Sequence, residues 1–373
     1  MTITDSRDRT LPGAPPQRLW FADNLRILLT SLVVLHHLAV TYSGLPLWYY
    51  TENPGSAGTQ TGFMTFLLVD QAWFMGAFFL LSGYFTPGSY DRKGPRAFLR
   101  DRLIRLGIPL LVFYFVLNPL LSLGRYHGDT PLEDYPHTIG SGPLWFVLAL
   151  LVFDAGYALF RHLTRNRGAR TLRPLTVPMV AGFVAILALL TYVLRIVLPI
   201  GSWVPVVDFP TSAYLPQYLG FFAMGTVAYR NGWFRAITAR MGWTGLGMAL
   251  GASAVFLPLA LSAGTEATNG RGTLSSLCYA LWDSTFAVGV ALALLALFRH
   301  TFDAQGRFGR YLSGHAFTVY VIHAFLVTAA GYALSALDLP ALAKFAIGAV
   351  LVLPACFLLA GPIRRLPGIR RVL

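Results

Sequence analysis

Asp23-Asn-Leu-Arg26-Ile-Leu-Leu-Thr-Ser-Leu-Val-Val-Leu-His36-His37 is an apolar run with a guanidinium near its start and two imidazoles at its end. Arg26 and His37 stand eleven residues apart, almost three helical turns, so a helix puts both on one stripe, roughly 16 Å apart along the axis. His36 points about 100° away from that stripe and reads as structural. A cation and an imidazole at membrane depth are expensive to keep there, which makes such residues functional by default.

Composition sets the environment of this run. Of 373 residues, 55% are hydrophobic and 12% charged, about half the charged share of a soluble domain. Ten stretches are apolar for long enough to cross a ~30 Å hydrocarbon core, near 24–42, 62–85, 106–123, 143–160, 176–198, 213–229, 243–263, 274–298, 314–334 and 341–363. The expected architecture is all-α: a polytopic integral membrane protein of about ten transmembrane helices. Its domain covers 23–363, between a short tail (1–22) without signal-peptide features and a basic tail (364–373).

The breaks between the spans alternate in charge. Arg7, Arg9 and Arg18 precede the first span, Arg92 to Arg105 follow the second, and Arg161 to Arg173 follow the fourth. Arg230 to Arg240, Arg299 to Arg310 and Arg364 to Arg371 continue the series, while the other breaks carry Glu52, Asp129, Glu133, Asp134, Asp208, Glu266 and Asp338. The positive-inside rule then makes both termini cytoplasmic in a multi-pass protein of the cell inner (cytoplasmic) membrane. The net charge of +13 is a topology signal and calls for no nucleic acid. Cys278 and Cys356 lie inside apolar spans as small hydrophobes. Metal-binding and phosphate-loop signatures are missing. Gly247 and Gly251, at small-xxx-small spacing, are expected to let helices approach closely.

The chemistry must come from polar residues at membrane depth. His37 lies roughly 20–25 Å in from the cytoplasmic entry, and a neutral imidazole there reads as a general base or as an interhelical hydrogen bond. Arg26, near the inner face, reads as a ligand residue or as an interfacial arginine paired with Asp23 one turn earlier. In the second span Asp70 and Gln71 sit at about the depth of His37, where Asp70 would orient an imidazole or pair with another helix. Ser82 and Gly83 end that span near the cytoplasmic face, just ahead of Arg102 and Arg105. Together these four would hold a phosphorylated ligand; topogenic charge explains the arginines as simply. Trp145 opens the fourth span, a usual place for an interfacial anchor. Asp154, Arg195, Gln217, Asp283 and His323 add up to a polar path across the protein, with Arg195 and an acid expected to neutralise each other. His323, near mid-membrane, is a second candidate for catalysis or for a helix contact.

These residues resemble a known family. Arg26 and His37, the Phe78-Phe-x-x-Ser82-Gly83 segment, Arg102-x-x-Arg105-x-x-x-Pro109, Leu144-Trp145-Phe146 and Tyr320-x-x-His323 follow the order of motifs in the membrane-bound acyltransferase family three, which includes O-antigen acetylases and periplasmic-glucan succinyltransferases. The likeness spans nearly the whole chain. One departure is Pro143, where many members have His. The resemblance implies transfer of an acyl group, acetyl or succinyl, from acyl-coenzyme A to a hydroxyl of a carbohydrate or related cell-envelope acceptor. It implies His37 as general base or acyl carrier, assisted by Arg26, and donor binding by Arg102, Arg105, Ser82 and Gly83. Asp23, Asp70, Trp145 and His323 would support them. No cofactor is expected to be tightly bound: the acyl-coenzyme A donor is a co-substrate, and the partners are the acceptor and the lipid bilayer. A transporter using the buried polar pathway is the alternative; a non-enzymatic membrane partner is a third.

Overall fold

The chain is all-helical where the computed structural model describes it, residues 18–123, 138–164, 173–204 and 209–372. Arg7, Arg9, Asp129, Glu133, Asp134, Arg165, Arg167, Arg170 and Asp208 of the charge series lie outside those residues. Helix α1 (Trp20–Tyr42) buries Leu25, Leu29 and Val33 at four-residue spacing and ends where Gly44 turns with φ +80°. After a loop come α2 (Ala57–Gln71) and α3 (Phe74–Lys93), one 37-residue rod interrupted at Ala72 and Trp73. That interruption frees the Ala72 carbonyl, and Gln217 donates its side-chain amide to it at 2.7 Å, as a buried backbone acceptor requires.

Helix α4 (Pro95–Ser122) contains two π turns, Leu103–Gly107 and Phe113–Leu117, ahead of Pro109 and Pro119. Each proline lacks an N–H and crowds the carbonyl four residues back, and the wider turn relieves both. Helices α5 (Trp145–Thr164), α6 (Val177–Val197), α7 (Leu215–Asn231), α8 (Ala239–Leu261), α9 (Leu274–Thr301), α10 (Arg307–Ser335) and α11 (Ala341–Arg365) complete the bundle. Helix α1 packs against α9, α10 and α11 and also meets α2 and α3. Its stripe of polar residues therefore faces protein rather than lipid.

Nine helical segments among the described residues are long and apolar enough to cross a membrane, one fewer than the ten expected. The difference is α7, whose 17 residues rise about 25 Å. It runs parallel to α3: Gly76 lies against Gln217, Gly83 against Phe222 and Gly88 against Tyr229. The basic helix ends also gather at one end of the bundle, where Phe21 donates its N–H to Asp303, Asn24 reaches the Phe302 carbonyl, Arg230 pairs with Asp91 and Arg364 donates to the Gly314 carbonyl.

Close helix contacts fall at different glycines from those expected. Nothing lies within 4 Å of a Cβ built on Gly247 or Gly251, because the face of α8 turned toward α9 carries Gly242 and Gly245 instead. Between α3 and α7, a Cβ on Gly83 would overlap the Phe222 carbonyl, and one on Gly225 the Leu80 carbonyl. Arg195 and Asp283 pair at 2.6 Å, fully buried between α6 and α9, which matches the expected mutual neutralisation. Leaving one of such a pair alone costs about 3–5 kcal/mol.

Two alanine substitutions separate these glycine environments. Gly225→Ala is expected to lower the thermal midpoint of the detergent-purified protein, since backbone rather than a flexible side chain blocks the new methyl. Gly247→Ala is expected to leave it unchanged or raise it, by up to about 1 kcal/mol of helix propensity.

Candidate active site

Two cavities open along α1, one at each end of the quoted run. The larger, about 860 Å³, is lined by His36 and His37 together with Trp48, Gln71, Trp145 and Tyr320. The smaller, about 170 Å³, is lined by Arg26, Phe78, Leu81, Ser82, Phe85, Arg102 and Leu150. They share no lining residue.

In the large cavity the backbone decides which nitrogen of each ring is free. His37 Nδ1 lies 2.9 Å from the Val33 carbonyl and His323 Nδ1 lies 2.6 Å from the Tyr320 carbonyl. Carbonyls only accept, so Nδ1 carries the proton in both rings. His323 Nε2 is then a lone pair, and it accepts from His37 Nδ1 at 3.2 Å. His37 Nε2 is left as an acceptor with no protein partner among the described residues, and it is not shut away from the cavity. The Trp48 ring stacks on His37 with centroids 4.1 Å apart, fixing the plane of the imidazole. An imidazole with one nitrogen tethered and the other open can accept a proton from a group in the cavity.

Asp70 orients His36 rather than His37. Its carboxylate accepts from His36 Nδ1 at 2.9 Å, and both groups are largely buried. The ring read as structural thus shares the cavity with His37, because the opening is wide enough to admit both sides of α1. Trp145 lines the same cavity, stacked on Tyr218 at 5.3 Å. Trp48, Tyr49 and Asn118 were not singled out by sequence. Tyr49 donates to Asn118, and Tyr320 donates to the carbonyl of Pro143, so the position that departs from the family contributes backbone. Trp48 and Tyr49 lie in a loop, which carries no periodicity to reveal them.

The small cavity gathers two of the four residues expected at the donor, Arg102 and Ser82, and with them Arg26, which was expected to assist His37 and instead lines a separate cavity. Arg26 Nη1 lies 3.1 Å from Asp23, which also takes Arg18 at 2.7 Å. Arg102 pairs with Asp154 at 2.9 Å, and Thr86 donates to the same carboxylate. Ser82 lines the wall. Gly83 and Arg105 do not join them. Gly83 is consumed in the α3–α7 contact, and Arg105 is 65% exposed with Asp101 at 3.4 Å. The π turn that begins at Leu103 widens the helix between the two arginines and swings Arg105 off the stripe of Arg102. Among the described residues no group of three or more His, Cys, Asp or Glu has the geometry of a metal site.

Aromatic rings fill the space between the cavities. Phe78, in the wall of the small one, lies 5.6 Å from Phe146, whose ring is 6.0 Å from Tyr320 in the wall of the large one.

A family model for the acyltransferase domain matches residues 19–361. The chain belongs to this acyltransferase family. Being all-helical with nine candidate spans among the described residues, it is a multi-pass membrane acyltransferase. It is similar to the glucans biosynthesis protein C of Salmonella paratyphi B and of Salmonella typhi, 22% identical to each over 343 residues that cover 83% of this chain and 85% of the relative. No solved structure matches it.

His323→Ala removes one of the two acceptors of the His37 Nδ1 proton. For this acyltransferase, kcat is expected to fall by up to about 10²-fold, the scale of a misplaced catalytic group, with the acceptor KM within twofold of wild type. Steady-state kinetics read the split.

Proposed function

We propose that the protein transfers an acyl group, acetyl or succinyl, from acyl-coenzyme A to a hydroxyl of a carbohydrate or related cell-envelope acceptor, with His37 as general base. The observation that carries this reading is the open Nε2 of a ring whose Nδ1 is tied to the Val33 carbonyl. An acceptor hydroxyl within reach of that nitrogen gives up its proton as its oxygen attacks the thioester carbonyl.

The cavity wall suits such an acceptor. Trp48, Trp145, Trp203 and Tyr214 offer flat apolar faces, and Gln60, Gln71 and Asn269 offer amides. Among the described residues lining it none is Asp, Glu, Lys or Arg, so an uncharged polyhydroxyl ligand leaves no charge unpaired. The name of the glucan-biosynthesis relatives points the same way.

At the other end, Arg26 and Arg102 form a cationic floor beside Ser82. Guanidinium groups bind phosphates through paired hydrogen bonds, and a cavity of about 170 Å³ holds only part of a coenzyme, leaving the nucleotide outside the bundle. The thin acyl-pantetheine arm then passes the Phe78–Phe146 layer to reach His37. With the arginine end in the cytoplasm, as the charge alternation supports, the donor enters from the cytoplasm and the acceptor from the opposite face of the cytoplasmic membrane. Acyl-coenzyme A is a co-substrate in this scheme and no resident cofactor takes part.

Membranes containing the His37→Ala chain, supplied with radiolabelled acetyl-coenzyme A or succinyl-coenzyme A and a cell-envelope extract, are expected to transfer label at least ~10²-fold more slowly than wild type; transfer at the wild-type rate rejects the base. Arg102→Lys keeps the charge but loses the fork, and the donor KM is expected to rise roughly tenfold, about 1.4 kcal/mol. Arg105→Lys, at a solvated site, is expected to leave that KM within twofold.

A further inference from the structure

A second imidazole faces the large cavity, and the reaction proposed above does not yet assign the group that protonates the leaving thiolate. Attack on a thioester expels a thiolate, which must take up a proton. His37 can return the proton it has taken, but a second ring open to the same cavity can supply one to the sulfur independently of it. His36 sits on the next residue, with ring centroids 5.5 Å from those of His37 and planes at 77°. Its Nδ1 is bound by the Asp70 carboxylate at 2.9 Å, and its face rests on Phe74 at 5.1 Å. Its Nε2 has no protein partner among the described residues and is open to the cavity.

The two rings have different partners. His37 Nδ1 meets a neutral carbonyl and a neutral imidazole, so nothing beside it compensates a positive charge. His36 Nδ1 meets a carboxylate, whose charge balances a ring protonated on both nitrogens. One imidazole is thus furnished as a proton acceptor and its neighbour as a proton carrier, the pairing that acid–base catalysis uses.

We infer that His36, held by Asp70, protonates the departing thiolate while His37 deprotonates the acceptor. This rests on the acyl-thioester reading above and adds a second catalytic residue to it. The acceptor O–H bond breaks with its proton moving to His37 Nε2, and the oxygen forms a bond to the acyl carbon. The carbon–sulfur bond then breaks with its electron pair on sulfur, and the proton on His36 Nε2 passes to that sulfur. The products are the ester and free thiol, with His36 neutral and His37 protonated. Proton transfer from His37 to His36, directly or through cavity water, restores both rings, so no net proton is consumed. Asp70 acts through His36 as a positioning residue.

The experiment uses the full-length protein in detergent with labelled acetyl-coenzyme A and a neutral glucan oligosaccharide as acceptor, or succinyl-coenzyme A where acetyl does not serve. His36→Gly is expected to lower kcat by about 10²- to 10⁴-fold. Added imidazole is expected to restore at least a tenth of the loss, whereas thiazole, a ring of similar size that carries no proton at neutral pH, restores none. Equal rescue by the two rings assigns His36 to packing and overturns the proposal, as does absence of rescue in a monodisperse preparation. His36→Gln, which keeps the bulk of the side chain, provides the reading where the glycine variant does not fold: a kcat within threefold of wild type overturns the proposal, and a loss confined to kcat with the donor KM unchanged supports it. Wild type inactive with both thioesters defeats the acyl-coenzyme A reading and this role with it, whereas wild-type activity that is lost in His37→Ala but kept in His36→Gln defeats this role alone.

Discussion

The hydrogen bond from His37 Nδ1 to the Val33 carbonyl is the constraint on which the site depends. Within one turn of α1 it fixes the tautomer, aims Nε2 at the cavity and leaves His323 as a second acceptor for the same proton. A backbone carbonyl bound this way is already engaged in the helix, so the contact needs no additional element to hold it. What the tertiary structure supplies is exclusion: Trp48 covers one face of the ring, and α10 brings His323 against the bonded edge. A polar ring at this depth would otherwise be an unpaired group in an apolar medium.

The same rule governs the other polar groups in the bundle. Arg195 with Asp283, Lys344 with Glu52 and Gln217 with the Ala72 carbonyl each have a polar partner inside the protein. Arg195 with Asp283 ties α6 to α9, Lys344 with Glu52 ties α11 to the loop after α1, and Gln217 ties α7 to the break between α2 and α3. Arg26 and Arg102 differ in lining an opening while paired. In the proposed reaction a phosphate arriving there would compete with Asp23 and Asp154 for them, the carboxylates preorganising the guanidiniums while limiting how tightly an anion is held. The aromatic layer of Phe78 and Phe146 isolates this charged floor from the histidines, and a ligand linking the two must be thin there.

Much of this was legible in the chain. The number of apolar stretches came within one of the spans, and the exception, α7, has 17 residues and lies along α3 at glycine contacts that no periodicity reports. The spacing of Arg26 and His37 foretold one stripe, and a shared stripe it is, though it runs through two cavities. The arginine pair was misread in its geometry: Arg102 and Arg105 look like neighbours on a regular helix, and the π turn ahead of Pro109 parts them. Gly83 reads as part of a site motif and serves a helix crossing. His36 read as structural because a helical wheel assigns it another face, and a cavity broad enough to accept both faces cannot be drawn on a wheel.

Sequence alone determined the all-helical membrane architecture and the gathering of basic helix ends, because hydropathy and charge are local properties that lipid enforces segment by segment. Tertiary structure decided the partners. Which imidazole meets Asp70, which meets His323, and which glycine meets a carbonyl depend on the rotation of each helix about its axis, and that rotation is set by side-chain packing between segments far apart in the chain.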